Sequence, residues 1–284
     1  MSTNLRIGIP SKGRRADGAI KLLKEAGLRF RRQDRGLFAP GHDVPIDVTF
    51  LRTDDIPVLC AEGAIDLGIA GSDLVAEANA NVVHRLSLGM GNCRLAICVP
   101  ENCNIQTPAD LDGCSVATSF PNLAQTYLRE HQAEVHVVEL SGSVEVMIAL
   151  GVADAIVDLV ETGSTLVANK LRILAEIGTY ETVLIQSPKT THLTLVDRIV
   201  RRIEGVVIAR SYSLLEYNIQ QTHLAAAEKI TPGFESPTVN RLEEEGWCSV
   251  RAMVKRGEVV DVMEQLESLG ATAILETAIS NCRL

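Results

Sequence analysis

No stretch of this 284-residue sequence approaches the run of about 20 apolar residues that a helix needs to span a bilayer. The first nine residues also lack the apolar core of a secretory signal peptide. These absences exclude a helical membrane protein and argue against secretion. We therefore expect a cytoplasmic protein.

The seven cysteines include no C-x-x-C pair, and the six histidines show no H-E-x-x-H spacing. An odd number of cysteines without paired spacing argues against a disulfide framework and against a zinc site. We interpret them as reduced thiols, which are usually buried. Metal binding by histidine is not expected either.

Positive charge is scarce overall, since the net charge is −9, and this disfavours nucleic-acid binding. It is nevertheless concentrated near the start, where residues 1–35 contain ten Lys or Arg and three Asp or Glu. A basic segment on an acidic protein can focus a small polyanion into a cleft. The alternative is a solvated, basic helix face.

Up to residue 211, short apolar segments alternate with stretches of helical periodicity. The length predicts about two domains, and a second cycle of this alternation begins near Cys93. The pattern predicts an α/β fold with mainly parallel sheets covered on both faces. The predicted strands are Leu5–Pro10, Ile46–Leu51, Asp66–Ala70, Leu95–Val99, Cys114–Thr118, Val135–Leu140, Ala155–Leu159 and Val183–Gln186.

After residue 211 the pattern changes to a compact module. A strand at Ser249–Val254, a helix at Val259–Leu269 and a strand at Thr272–Thr277 form a βαβ unit of about 30 residues. A small α+β regulatory or interaction domain fits this better than a further α/β cycle.

The strongest local signal for chemistry is the turn after the strand at 155–159. Asp158 and Glu161 precede Thr162, Gly163, Ser164 and Thr165, and a helix follows. Gly163 can adopt positive φ, and backbone N–H groups and hydroxyls at a helix start suit a phosphate. An acid at the end of such a strand can hold ribose hydroxyls. The alternative is an ordinary capped helix start.

This stretch resembles the signature of the ATP phosphoribosyltransferase family, whose members catalyse the first committed step of histidine biosynthesis. The match includes Glu145, Gly151, Ala153, Ile156 and the segment Asp158–Leu166. Similar family elements are Arg6–Arg14, Leu51–Pro57, Asp66–Asp73 with Glu77, Gly91–Leu95, Ala117–Leu123, Leu140–Glu145 and Thr231–Val239. Together they extend over essentially the whole chain in consistent order.

The resemblance implies a fold and a domain organisation. The expected catalytic body is two-lobed and periplasmic-binding-protein-like, with lobe I formed by residues 1–91 and 182–211 and lobe II by residues 92–181. Residues 212–284 are expected to form a ferredoxin-like (ACT-like) regulatory domain. Their presence implies the long form of the enzyme, because the short form lacks this domain and relies on a separate partner subunit.

The implied reaction is attack of adenine N1 of ATP on C1 of 5-phosphoribosyl 1-pyrophosphate (PRPP), with Mg²⁺ assisting the departure of pyrophosphate. Lys12, Arg14 and Arg52 are the predicted catalytic cations. Residues matching the expected PRPP site are Asp154, Asp158, Glu161, Thr162, Gly163, Ser164 and Thr165. Those matching the expected ATP site are Gly71, Asp73, Glu77 and Arg94, and Asp73 and Asp158 are the candidate metal ligands. Arg15 departs from the family pattern and receives no role.

The resemblance also implies feedback inhibition by histidine and assembly into a homo-hexamer in equilibrium with a dimer. Asn218, Ser236 and Thr238 are the predicted histidine contacts. Asn218 stands where some members have an acid that pairs with the histidine amine, although an amide oxygen also accepts hydrogen bonds.

Two other classes of protein fit parts of the pattern. A periplasmic-type ligand-binding module would have the two-lobed body without the phosphate site. Another PRPP-dependent transferase with a different acceptor base would have the phosphate site, but the C-terminal domain argues against it.

Overall fold

The computed structural model describes residues 4–33, 36–161 and 163–283. Over its first third, the three buried strands Leu5–Pro10, Ile46–Leu51 and Leu67–Gly71 are each followed by a helix, because helices must cover the faces of the sheet. These elements are β1 (Leu5–Pro10), α1 (Gly13–Glu25), β2 (Phe38–Pro40), β3 (Ile46–Leu51), α2 (Asp55–Ala61), β4 (Leu67–Gly71), α3 (Ser72–Glu77) and β5 (Val83–Ser87).

The middle of the chain forms a second set of strands and short helices. They are β6 (Cys93–Pro100), a 3₁₀ turn (Pro108–Leu111), β7 (Ser115–Thr118), α4 (Pro121–Glu130), β8 (His136–Glu139), α5 (Val146–Ala149), β9 (Ala155–Val160), α6 (Ser164–Ala168) and β10 (Leu171–Tyr180). The chain then returns to the first set through β11 (Thr182–Gln186).

Each set of strands builds its own sheet within the described residues. The first sheet, which with its helices forms lobe I, has the order β2-β3-β1-β4-β11-β5. The second sheet, which with its helices forms lobe II, has the order β10-β6-β9-β7-β8. In lobe I, β1 pairs in parallel with β3 and with β4, so their carboxyl ends meet at one edge of the sheet. In lobe II, β7 pairs in parallel with β8 and β9.

The sheets are mixed, which corrects the prediction that they are mainly parallel. The strands that carry the chain between the lobes, β5 to β6 and β10 to β11, pair antiparallel with their neighbours. A strand that returns directly needs no helical crossover, so it enters a sheet antiparallel. The sequence pattern missed β10 because two register shifts interrupt its alternation, and it missed the exposed strand β13.

The C-terminal part begins with the long helix α7 (Leu193–Ser211). It continues with β12 (Tyr212–Gln220), α8 (Leu224–Ile230), β13 (Thr238–Arg241), β14 (Trp247–Lys255), α9 (Val259–Ser268) and β15 (Thr272–Ala278). Its strands form a sheet in the order β13-β14-β12-β15. Alternate residues of β12 enter the apolar core, among them Leu215, Tyr217 and Ile219. The expected α/β body and α+β C-terminal domain are therefore confirmed.

The described chain separates into two compact units. One contains the residues up to Ile20 together with Arg29–Val196, and the other contains Lys21–Leu28 together with the residues from Asp197 onwards. Lobes I and II both belong to the first unit. The domain boundaries derived from the sequence stay predictions. In the part of the chain that the structure describes, no helix is long and apolar enough to cross a membrane.

Candidate functional site

Predicted site residues lie where the parallel strands of lobe I end. Lys12 follows β1, Arg52 follows β3, and Gly71 is the last residue of β4. The backbone N–H of Ser11 donates to the carbonyl of Leu51 (2.8 Å), which ties the first two strand ends together. Ligands of open α/β sheets bind outside the carboxyl ends of such strands, so this edge is a candidate binding surface.

A cavity of about 630 Å³ lies at this edge. Its lining includes three cations, Lys12, Arg14 and Arg15, together with Gly71 and Glu161. Arg52 is exposed and is not part of the lining, although its neighbour Thr53 is. Arg15 was not predicted, because the family pattern has no basic residue there. The signal that was available was its position in the basic N-terminal segment.

The phosphate loop of lobe II, defined here as Glu161–Leu166, has at Gly163 the positive φ that the sequence predicts. Gly163 has φ 78° and ψ 0° and directly precedes α6. A Cβ atom at this position would meet nothing within 4 Å, so the left-handed backbone alone requires glycine. Thr162 lies outside the described residues.

A second cavity, of about 550 Å³, lies against the phosphate loop. Gly163, Ser164 and Thr165 line it, and two of their side chains are exposed hydroxyls. Arg14 and Glu161 line both cavities, and Arg14 Nη2 lies 4.0 Å from Glu161 Oε2. The two cavities therefore adjoin across the cleft between the lobes.

Two carboxylates besides that of Glu161 line the second cavity. Asp158 is half-buried and accepts a hydrogen bond from the N–H of Leu159 (2.7 Å). Burial raises the pKa of Asp158, and the negative charge of Glu145 raises it further. Glu145 lines the same cavity, and the sequence analysis gave it no separate role. Paired carboxylate oxygens suit sugar hydroxyls or a hard cation.

Asp154 is separated from this cavity and does not line it, and its role in PRPP binding stays a prediction. It immediately precedes β9, whereas the phosphate loop follows the other end of that strand. Six residues of extended chain span roughly 20 Å. The Asp154 carboxylate instead accepts a hydrogen bond from the N–H of Ser115 (2.9 Å), at the start of β7.

Asp73 lies beneath Gly71 and is only 1% exposed. A Cβ atom on Gly71 would lie 1.9 Å from Asp73 Oδ1, so this carboxylate requires glycine at the cavity wall. Its Oδ2 atom has no hydrogen-bond partner among the described residues. Burial raises the pKa of Asp73, and the positive charge of Arg15 opposes that effect. Its predicted contacts with ATP and metal stay predictions, because the side chain does not line the cavity.

Glu77 and Arg94, which the sequence predicts to contact ATP, lie outside the two adjoining cavities and contact other residues of the protein. The Glu77 carboxylate accepts hydrogen bonds from the first turn of α4 in lobe II. Arg94 pairs with Glu176 across β6 and β10 and lines a neighbouring cavity of about 580 Å³ with Glu161.

The predicted histidine contacts lie on the C-terminal sheet and the turn before it. Asn218 on β12 opposes Ser249 on β14, and Thr238 at the start of β13 opposes Arg251 on β14. Asn218 points away from the apolar core, since the core side chains of β12 are the alternate residues. Ser236 is exposed and precedes β13. Their role with histidine stays a prediction.

No three acidic, histidine or cysteine side chains of the described ranges come close enough to hold a metal ion by themselves. This donor set does not exclude Mg²⁺, which commonly uses one or two carboxylates together with substrate phosphates and water. Asp158 and Glu145 in the second cavity fit that limited role.

The site therefore places a cationic cavity in one lobe beside a phosphate loop with two acids in the other. This arrangement defines a class of α/β proteins that hold a small phosphorylated molecule in the cleft between two lobes.

Comparisons with known proteins identify the family. The family model described as ATP phosphoribosyltransferase matches residues 52–205, and that of the HisG C-terminal domain matches residues 209–281. An ATP phosphoribosyltransferase of Rhodopirellula baltica is 61% identical over 280 residues, covering 99% of this chain and 94% of the relative. One from Yarrowia lipolytica is 39% identical over 290 residues, covering 100% and 98%.

A solved structure agrees with these matches. The ATP phosphoribosyl transferase (HisG:HisZ) complex from Thermotoga maritima superposes with a TM-score of 0.65 at 28% identity, covering 72% of this chain and 97% of the other. The chain belongs to the ATP phosphoribosyltransferase family, in the long form that carries the C-terminal domain. The resemblance found in the sequence is thereby confirmed.

Proposed function

We propose that this protein transfers the phosphoribosyl group of PRPP to N1 of ATP, giving 1-(5-phosphoribosyl)-ATP and pyrophosphate in the first step of histidine biosynthesis. The observation that carries the proposal is the contact of the two cavities at Arg14 and Glu161. A substrate with phosphates at both ends of a ribose can occupy both cavities at once.

The phosphate loop would bind the 5′-phosphate of PRPP. The positive φ of Gly163 turns the chain into α6, whose first N–H groups have no partner within the helix. The hydroxyls of Ser164 and Thr165 face the same cavity and can donate to phosphate oxygens. Asp158 and Glu145 lie beside them, where they can accept hydrogen bonds from the ribose hydroxyls.

Lys12, Arg14 and Arg15 would bind the pyrophosphate group of PRPP and the phosphates of ATP. In the reaction the C1–N1 bond forms as the C1–O bond to pyrophosphate breaks, and pyrophosphate leaves with the electron pair. Positioned cations stabilise the charge that develops on this leaving group. Adenine N1 is already nucleophilic, so the chain need not supply an activated side chain.

Mg²⁺ is the cofactor we propose, held mainly by substrate oxygens with Asp158 and Glu145 as the protein carboxylates. When bound, it would neutralise charge on the pyrophosphate oxygens. The raised pKa of Asp158 follows from its burial and from Glu145. A cation between these two acids would relieve their mutual repulsion.

Regulation, assembly and location complete the proposal. Histidine would inhibit the enzyme through Asn218, Ser236 and Thr238 of the C-terminal domain. The assembly would be a homo-hexamer in equilibrium with a dimer, located in the cytoplasm. The presence of the C-terminal domain supports the proposed inhibition and assembly.

The test is direct. Purified protein mixed with ATP, PRPP and Mg²⁺ should form phosphoribosyl-ATP, seen as a change in near-ultraviolet absorbance and verified by product mass. Other purine and pyrimidine bases offered in place of ATP serve as the comparison. Folded protein that binds PRPP but reacts only with another base would overturn the assigned acceptor, and binding without any reaction would favour a ligand-binding module.

A further inference from the structure

The two lobes are joined covalently at neighbouring crossings. One runs from β5 to β6 and the other from β10 to β11. They are hydrogen-bonded to each other, since Leu88 N–H donates to Thr182 O (3.0 Å) and Thr182 N–H donates to Met90 O (2.9 Å). Two adjacent crossings of this kind can serve as a hinge, with the angle between the lobes set by contacts outside them.

One such contact lies at the end of α3. Glu77 of lobe I accepts hydrogen bonds from the backbone N–H groups of Asn122 (2.8 Å) and Leu123 (3.0 Å), one to each carboxylate oxygen. In return, the side-chain amide of Asn122 donates to the carbonyl of Glu77 (3.0 Å). Three hydrogen bonds therefore join α3 of one lobe to the first turn of α4 in the other.

The physical chemistry of this contact is favourable. The first N–H groups of a helix have no intrahelical partner, and a carboxylate there also meets the positive end of the helix dipole. Helix α4 begins with Pro121, which has no N–H, so Asn122 and Leu123 offer the first donors. No side-chain cap from its own N-cap residue, Phe120, serves this helix. Glu77 supplies the cap from the other lobe.

Apolar packing reinforces the same junction. Leu74, one turn before Glu77 on α3, packs against the buried core of lobe II that contains Phe120 and Leu128. Helix α3 thus belongs to lobe I by chain connectivity but contacts lobe II with both a polar and an apolar side chain.

The junction is linked to the active-site cleft by a short, rigid path. Gly71, which lines the cationic cavity, immediately precedes α3, and Glu77 ends that helix. Ser72 is further fixed by hydrogen bonds with the backbone of Glu181, at the hinge (2.8 and 3.1 Å). A change at Glu77 should therefore change the position of lobe II relative to Gly71 and Arg14.

We infer that Glu77 is a positioning residue that sets the angle between the lobes by capping α4, and so aligns the phosphate loop with the cationic cavity. The inference rests on the proposed function for its effect on turnover. The hydrogen bonds themselves can be tested without any substrate.

The first experiment measures hydrogen exchange at the amides of α4 in the wild type and in Glu77→Ala, Glu77→Gln and Glu130→Ala. Glu130 is an exposed glutamate at the other end of the same helix and is the matched control. Exchange at Asn122 and Leu123 should rise about tenfold or more in Glu77→Ala, because each amide loses a hydrogen bond to a charged carboxylate. Glu77→Gln keeps one acceptor oxygen and should give an intermediate rise. Unchanged exchange would overturn the cap even if the enzyme activity were absent.

The second experiment separates positioning from general damage. Glu77→Ala should lower kcat about tenfold, while the Kd for PRPP alone stays within about twofold, because the groups proposed to hold its 5′-phosphate and ribose all belong to lobe II and would keep their arrangement. Glu77→Gln should recover part of the lost kcat, and Glu130→Ala should match the wild type. A kcat within twofold of wild type in Glu77→Ala, or an equal loss of PRPP affinity, would overturn the positioning role. Wild-type protein without phosphoribosyltransferase activity would instead contradict the proposed function.

Discussion

The two sides of the cleft differ in the groups that line them and in how far apart those groups lie in the sequence. In lobe II the phosphate loop is one contiguous segment, in which the backbone of Gly163 and the hydroxyls of Ser164 and Thr165 face the ligand cavity. In lobe I the cationic cavity draws its wall from segments that are far apart in the sequence, including Lys12 after β1 and Gly71 at the end of β4. The phosphate loop is therefore specified by one short segment of sequence, whereas the cationic cavity forms only when the sheet of lobe I has brought distant segments together.

This difference separates their expected roles. Neutral donors and backbone groups bind a phosphate whose charge does not change, so the phosphate loop is suited to hold the 5′-phosphate throughout the reaction. Cationic side chains held at the leaving-group side stabilise the charge that develops there. Loss of a phosphate-loop donor should weaken PRPP binding, and loss of a cationic side chain should slow turnover.

The largest effect is expected for Lys12→Ala. Removal of a charged donor from the leaving-group side should lower kcat/KM about 100-fold, near the upper end for one hydrogen bond to a charged group. Steady-state kinetics with both substrates measure this. Lys24→Ala, an exposed lysine on α1, should stay near wild type. If Lys12→Ala raised only the Kd for PRPP and left kcat unchanged, the division of roles would be wrong.

A smaller effect is expected for Thr165→Ala. Loss of one neutral phosphate donor should raise the Kd for PRPP about tenfold and leave that for ATP within about twofold. Isothermal titration with each substrate separately measures both constants. Thr126→Ala is the control, since that hydroxyl donates within its own helix to the carbonyl of Asn122. Equal weakening for both substrates would place the phosphate site elsewhere.

The paired substitutions Gly163→Ala and Gly13→Ala sharpen the comparison. Both glycines have positive φ, 78° and 75°, and an added Cβ meets nothing within 4 Å in either case. The backbone penalty of about 1–2 kcal/mol is therefore common to both. We expect Gly163→Ala to raise the Kd for PRPP about fivefold, and Gly13→Ala to lower kcat by a similar factor. The same response in both variants would mean that the loops are not functionally distinct.

The smallest effect concerns the buried Asp73 under the cationic cavity. Its pKa is raised in the folded state by burial, so the folded state keeps a proton at pH values where the unfolded state has lost it. Folding stability therefore falls as the pH rises through this window. Asp73→Asn should raise Tm at neutral pH by on the order of a few degrees, and the gain should vanish as the pH falls below the usual range of aspartate.

Thermal unfolding at a series of pH values checks this prediction. The exposed Asp17→Asn is the control, and its Tm difference from wild type should not vary in the same way. A gain at Asp73→Asn that persisted at low pH would contradict the electrostatic cause.

The sequence predicts the phosphate loop of lobe II better than the cationic cavity of lobe I. The phosphate loop was predictable because its glycine and hydroxyls are neighbours in the chain, and the fold class was predictable because burial imposes periodicity. Asp154 and Asp158 are only four residues apart in the sequence, yet Asp154 precedes β9 at the end away from the loop, whereas Asp158 lies in β9 near the end that leads into the loop. Arg15, and the contact of Glu77 with α4, depend on which elements the folded chain brings together, and no local pattern encodes that.

The most direct test of the central claim is a crystal structure with PRPP and Mg²⁺ bound. The account predicts the 5′-phosphate against Gly163–Thr165, the ribose hydroxyls beside Asp158, and the pyrophosphate facing Lys12 and Arg14. PRPP bound in the opposite direction, with its pyrophosphate in the phosphate loop, would contradict it.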